Sequence, residues 1–123
     1  MRRASLVLGL MVLLVGCAQR RTVQKGAASW YGPGFRGKPT ASGVPFRPWK
    51  RTAAHKTVPF GTVLRVKRVD SGRSVRVVVN DRGPFVAGRV LDLSKGAARR
   101  LQMIDDGVIV VEYRVVGQRN IRR

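Results

Sequence analysis

The sequence holds one cysteine, one histidine and only six acidic residues, set against 25 lysines and arginines. With Cys17 as the sole thiol, no disulfide can form within the chain and no cysteine-based metal site can be built, so stability rests on packing alone. No apolar run reaches the roughly 20 residues that a bilayer-crossing helix needs, the longest being Ala4–Val15. No internal repeat or low-complexity tract appears, and 123 residues leave room for one compact domain with a modest core. The shortage of acid confines any carboxylate chemistry to Asp70, Asp81, Asp92, Asp105, Asp106 and Glu112.

What is present begins with MRRASLVLGLMVLLVGC, two arginines ahead of a short apolar run that ends at Gly16 and Cys17. That is the layout of a secretory signal. Leu14-Val15-Gly16-Cys17 looks like a bacterial lipobox, in which the cysteine becomes the first mature residue and carries several acyl chains; otherwise Cys17 is an unmodified thiol. The expected division is a lipoprotein signal peptide over residues 1–16, a lipidated N-terminus and tether over 17–25, one domain over 26–117 and a basic tail over 118–123.

A formal charge of +19 points to a polyanionic partner, and nucleic acid would be the default in the cytosol. The export signal argues against nucleic acid and leaves lipid phosphates and cell-wall carboxylates, while part of the charge simply faces water.

Along the chain, Gly26–Gly61 is rich in Gly, Pro and aromatics and reads as loops with brief strand-like pieces. TVLRVKRV and SVRVVV alternate apolar and basic residues around DSGR, the pattern of a β-hairpin. VAGRVLDLS reads as a short strand ending at Asp92. Ser94 can cap a helix with Ala97, Ala98, Leu101 and Ile104 on its apolar face. GVIVVEYRVVG closes the chain as a long strand with Glu112 and Arg114 outward. Several short strands and one short helix in about 100 residues argue for a small closed β-barrel, because closure removes exposed edges.

Four segments in this order, GAASWYGPGFRGKPTASG, TAAHKTVPFGT, VKRVDSGRSVRVVVNDRGPF and RVLDLSKGAARRL, closely resemble rare lipoprotein A, the RlpA family of septal-ring lytic transglycosylases. The resemblance runs from about Gly26 to Val116. It implies a mainly β fold, a six-stranded double-psi β-barrel with one short helix, in a periplasm-facing, lipid-anchored protein acting on peptidoglycan glycan strands poor in stem peptides. It implies no cofactor and no metal. Many family members continue into a SPOR domain; this chain stops at Arg123, so recruitment to the septum by that route is not expected. Ala18 follows Cys17 where an Asp would signal retention at the inner membrane, which favours the outer membrane in a Gram-negative host.

An enzyme of this class needs no water and no second nucleophile, because the C6 hydroxyl of N-acetylmuramic acid attacks its own anomeric carbon to leave a 1,6-anhydro end. One carboxylate can protonate the leaving oxygen and take the C6 hydroxyl's proton. Asp70, Asp105 and Asp106 have turn explanations, Glu112 lies on an outward strand face, and Asp92 is expected to brace the start of the helix. The resemblance places the Asp of NDRGPF in the cleft, which assigns the chemistry to Asp81; the alternative is a structural Asp bonding loop amides or Arg82. It carries over His55 as a second catalytic residue that orients the sugar or adjusts Asp81's protonation, with a scaffold role as the alternative.

Trp30 and Tyr31 are expected to stack on pyranose rings, Ser29, Thr40 and Ser42 to add hydroxyl contacts or serve as turn residues, and Arg82 to meet substrate carboxylate. Phe46 reads as core. The family's Gly-Glu and following Asp are replaced here by Val44 and Arg47 in SGVPFRPW. If that Glu is the general acid, this chain is inactive or weak; if Asp81 carries both transfers, activity survives. The alternative function is a non-catalytic peptidoglycan-binding or wall-loosening lipoprotein of expansin type.

Overall fold

The computed structural model describes residues 22–121. The signal peptide and Cys17 therefore lie outside the described residues. Six strands close into a barrel: β1 (Gln24–Trp30), β2 (Thr52–Ala54), β3 (Thr62–Arg68), β4 (Ser74–Asp81), β5 (Arg89–Leu93) and β6 (Ile109–Gln118), joined around the circumference in the order β1-β5-β2-β4-β3-β6. The pairs β1/β5 and β2/β4 run parallel and the other four antiparallel. One helix, α1 (Lys95–Arg100), follows β5.

The β3–β4 hairpin forms where the alternation predicts it. Leu64, Val66, Val75, Val77 and Val79 are buried, and Leu91, Leu93, Val111 and Leu101 meet them in the core. β1 starts at Gln24, inside the segment read as tether, and together with β2 it lies in a region read mostly as loops. At the far end, Gln118 is the last residue of β6 and Arg119 donates its backbone N–H to the Gly61 carbonyl at 2.8 Å, so the first residues of the expected tail help close the barrel. Gly61 has a φ of +91°, and a Cβ there would lie 2.1 Å from the Arg119 carbonyl oxygen. Only glycine fits that crossing.

The helix is shorter than its apolar pattern suggested. Ala97, Ala98 and Leu101 are buried as expected, but the chain leaves the helix at Leu101 and Gln102 takes a left-handed φ of 52°. The Gln102 N–H then reaches the Arg99 carbonyl (3.0 Å) and the Met103 N–H the Ala98 carbonyl (3.1 Å), a Schellman closure. Met103, fully buried, takes the core position assigned to Ile104, which is half-buried. Arg68 holds the following turn, donating to the Leu101 and Gln102 carbonyls and pairing with Asp70 (2.7 Å) and Asp106 (3.0 Å).

Ser94 does more than cap. Its hydroxyl oxygen accepts from the N–H groups of Ala97 (3.3 Å) and Thr52 (3.1 Å), and its proton goes to the Lys50 carbonyl (2.5 Å). The side chain thus ties the helix start to the beginning of β2 from a fully buried position. Ser94→Ala is expected to lower stability by about 1–2 kcal/mol, read as a shift of the urea midpoint with unchanged slope.

Candidate functional site

The site is built where β2 passes between β4 and β5. Ala54, the last residue of β2, has Asp81 as its register partner on one side and Asp92 on the other. Residues directly opposite in a sheet point to the same face, so the two carboxylates flank the smallest available side chain. The same face receives Ser29 of β1, which is opposite Asp92, and Tyr31, two residues further along the chain.

Asp81 is held from three sides. The Tyr31 hydroxyl donates to Oδ2 at 2.5 Å, and the backbone N–H groups of Ala41 and Arg82 donate to Oδ1 at 2.8 and 2.9 Å. The loop carrying Ala41 is pinned to the end of β4 by Ser42 N–H on the Asn80 carbonyl (3.2 Å). Within that loop Thr40 Oγ1 lies 2.9 Å from Ser42 Oγ and 2.7 Å from the Val44 carbonyl oxygen, to which it donates. The two hydroxyls expected to meet substrate therefore shape the loop that grips Asp81.

Tyr31 does not offer a ring face to a sugar. Phe46 stacks on it at 4.4 Å and 22°, and Phe35 meets it edge-on at 5.5 Å. Phe46 itself is buried, as read from the sequence. The Tyr31 phenol is pushed far above its ordinary pKa by burial first, then by its hydrogen bond to Asp81 and by the charges of Asp81 and Asp92. It keeps its proton at every working pH. Trp30 points the other way along β1, is half-buried and packs against the core, so the stacking role expected of it does not match its position. Phe35, Trp49 and Phe85 are exposed, the last two most, at 60% and 84%, and the Arg36 guanidinium lies 5.2 Å from the Trp49 ring.

Asp92 is the residue that sequence reasoning set aside. It does not brace the helix, a task Ser94 performs; it accepts a short hydrogen bond from the Ser29 hydroxyl, which Arg89 Nη1 approaches at 3.5 Å. Its signal in the sequence is the parallel pairing of two segments far apart in the chain, which local spacing does not reveal.

His55 is buried and fully engaged. Nδ1 accepts from the N–H groups of Thr57 (3.0 Å) and Val58 (3.1 Å), which puts the proton on Nε2, where it is donated to the Tyr113 hydroxyl (2.9 Å). Burial, then the charges of Arg82 and Lys56, push the imidazole pKa below its usual value, so the ring is neutral. Its link to the site runs through the backbone, His55 N–H to the Asp81 carbonyl at 3.1 Å. Arg82 lies across Phe60 at 4.0 Å and donates to the His55 carbonyl at 3.3 Å, so it supports the same corner. Both side chains position Asp81 through its own strand end.

Among the described residues no group of three or more His, Cys, Asp or Glu is placed to hold a metal ion. Residues 23–113 match the lytic transglycolase family. Over 92 residues, the chain is 52% identical to the endolytic peptidoglycan transglycosylase RlpA of Campylobacter jejuni, covering 75% of this chain and 34% of that one. The protein of the same name from Helicobacter pylori is 48% identical over 92 residues, covering 75% and 29%. The chain thus spans about a third of the length of these curated relatives. Among solved structures, the expansin of Clavibacter michiganensis superposes with a TM-score of 0.63 at 27% identity, over 81% of this chain and 53% of that one.

Proposed function

This chain belongs to the RlpA family, with its double-psi β-barrel domain, and on that premise we propose that it is a peptidoglycan lytic transglycosylase. The finer reading is endolytic cleavage of glycan strands poor in stem peptides, from a lipid anchor on Cys17 in the outer membrane. The observation that supports the lytic reading is the grip of Tyr31, Ala41 and Arg82 on Asp81 beside Ala54, with a second carboxylate across the same strand.

In this reaction the carboxyl group of Asp81 gives a proton to the glycosidic oxygen as the bond from muramic C1 to that oxygen breaks. The C6 hydroxyl oxygen then bonds to C1, and its proton passes to Asp81, which restores the starting state without water. Tyr31 keeps its own proton and fixes the direction of the carboxyl. Trp49 and Phe85 supply open aromatic faces for rings further along the strand.

The test is digestion of purified sacculi, intact and stripped of stem peptides, with mass spectrometry of the released fragments. Anhydro-ended products, more abundant from stripped sacculi, are the expected result. Fragments with reducing muramic ends would assign a hydrolase instead. Tyr31→Phe keeps the stack on Phe46 and removes the donor to Asp81; losing about 1.4 kcal/mol of positioning corresponds to a roughly tenfold lower rate with little change in sacculus binding.

A second reading follows from the resemblance, which leads us to expect acids at the positions that Val44 and Arg47 occupy. On that reading the barrel binds glycan without cleaving it. Retention on sacculi with no release of fragments would establish it.

A further inference from the structure

The face of the barrel bearing β3, β4 and β6 carries an arrangement that the glycan site does not use. Arg65 has Arg76 as its register partner across β4 and Arg114 across β6, so three guanidinium side chains stand in one row on the outer face. Like charges directly opposite are destabilising in a sheet. Among the described residues the two ion pairs engage Arg68 rather than these arginines, and the acid on this face, Glu112, lies opposite Lys67 and two residues from Arg114 along β6. Arg65 and Arg76 also line an open recess of about 430 Å³ together with Arg51, Arg73 and Arg100. Two of these arginines have internal partners, Arg65 on Ser74 Oγ (3.3 Å) and Arg73 on the Arg100 carbonyl (3.0 Å); neither partner is anionic.

Two features say what kind of anion this face meets. Arg76 precedes Asp81 by five residues along β4, roughly 17 Å of strand, so the row and the carboxylates sit towards opposite ends of the same strand. A ligand on the row leaves the glycan site open. The second feature is where the N-terminal segment joins. Val23, just ahead of β1, shares a small recess with Arg65, Lys67, Glu112, Tyr113 and Arg114. The described chain therefore starts beside the arginine row. From Cys17 to Val23 the chain reaches at most about 20 Å.

We propose that the arginine row of Arg65, Arg76 and Arg114, with the adjoining Arg51, Arg73 and Arg100, is a membrane-docking face that binds the phosphates of anionic lipid headgroups. Guanidinium groups match phosphate oxygens in a bidentate geometry, and a row of them along a gently curved strand surface presents several such forks to one plane. Docked in this way, the barrel lies against the bilayer with the Asp81 site displaced from it. The short tether rests on the Cys17 anchor proposed above; the arginine row does not.

The experiment measures partition of the full chain between buffer and vesicles, neutral phosphatidylcholine against phosphatidylcholine with 30% (about one lipid in three) phosphatidylglycerol. The expected result is an excess on anionic vesicles at about 0.1 M salt that collapses at high salt. Arg65→Ser/Arg76→Ser/Arg114→Ser reduces that excess by about a hundredfold, roughly fivefold per arginine, and leaves neutral-vesicle binding unchanged. A control that removes the same charge from other loops, Lys38→Ser/Arg47→Ser/Lys56→Ser, retains most of it. The row variant also melts no lower than wild type, since it removes like-charge neighbours.

An excess that survives in the row variant overturns the proposal. So does equal loss in the control, which would mean net charge alone, and so does loss of sacculus binding with vesicle binding intact, which would assign the row to the wall. Failure to bind neutral vesicles, with the anionic excess present and lost in the row variant, supports the docking face while removing the anchor reading.

Discussion

Asp81→Asn is expected to lower release of anhydro-ended fragments from sacculi by at least about 10²-fold, with stability within about 1 kcal/mol of wild type. The reason for so large a split is local. An amide oxygen at the Oδ1 position still accepts from the Ala41 and Arg82 N–H groups, so the loop stays in place. The amide nitrogen meets the Tyr31 hydroxyl, which can turn to accept. What the amide cannot do is give and take a proton at the glycosidic oxygen. The companion variant is Asp92→Asn, whose carboxylate is already committed to Ser29. It is expected to cost less than Asp81→Asn. If Asp92→Asn silences the chain while Asp81→Asn leaves it active, the proton transfers belong to the other side of Ala54.

The contrast between these two aspartates also shows what the sequence could and could not reveal. The β3–β4 hairpin was legible because basic and apolar residues alternate through Leu64, Val66, Val75 and Val77, each half-turn of the pattern facing either water or core. β1 was not, because its residues are small for packing reasons. Gly26 lies so close to Val90 that an added Cβ would be 2.4 Å from its Cγ1. β2 is three residues long, with Ala53 and Ala54 buried, and has no polar alternation to read. The meeting of Asp81 and Asp92 depends on β2 lying between β4 and β5, parallel to the first and antiparallel to the second, two non-local pairings, so local spacing assigned Asp92 to the nearby helix instead. Once β1 is recognised, period-two alternation alone separates Ser29 and Tyr31 from Trp30, which turns to the core.

His55 is where stability and site geometry are joined, and its replacement carries the largest expected cost to the fold. His55→Ala strands the Tyr113 hydroxyl and the N–H groups of Thr57 and Val58, and empties a buried position. The expected loss is about 3 kcal/mol, measured by urea unfolding. Because the His55 N–H holds the Asp81 carbonyl, activity falls with it. His55→Asn separates the two roles: its side-chain oxygen can replace Nδ1 as acceptor for Thr57 and Val58, so the corner persists while the imidazole is gone. Substantial lytic activity in the Asn variant marks His55 as a positioning residue; complete loss with a native fold would make the imidazole itself part of the chemistry.

The same histidine sets a pH dependence. Its folded pKa lies below the unfolded value of about 6.5, since burial and the Arg82 and Lys56 charges oppose protonation. The unfolded chain therefore binds the proton more readily, and the stabilisation is fully present above about pH 6.5 and lost as pH falls through the folded pKa. Thermal melts of wild type should fall in that acid window, while His55→Asn, with nothing to protonate at that position, should show a flatter profile there. Parallel profiles for the two proteins would mean that some other group drives the acid loss and that the neutral, doubly engaged imidazole is not what holds this corner.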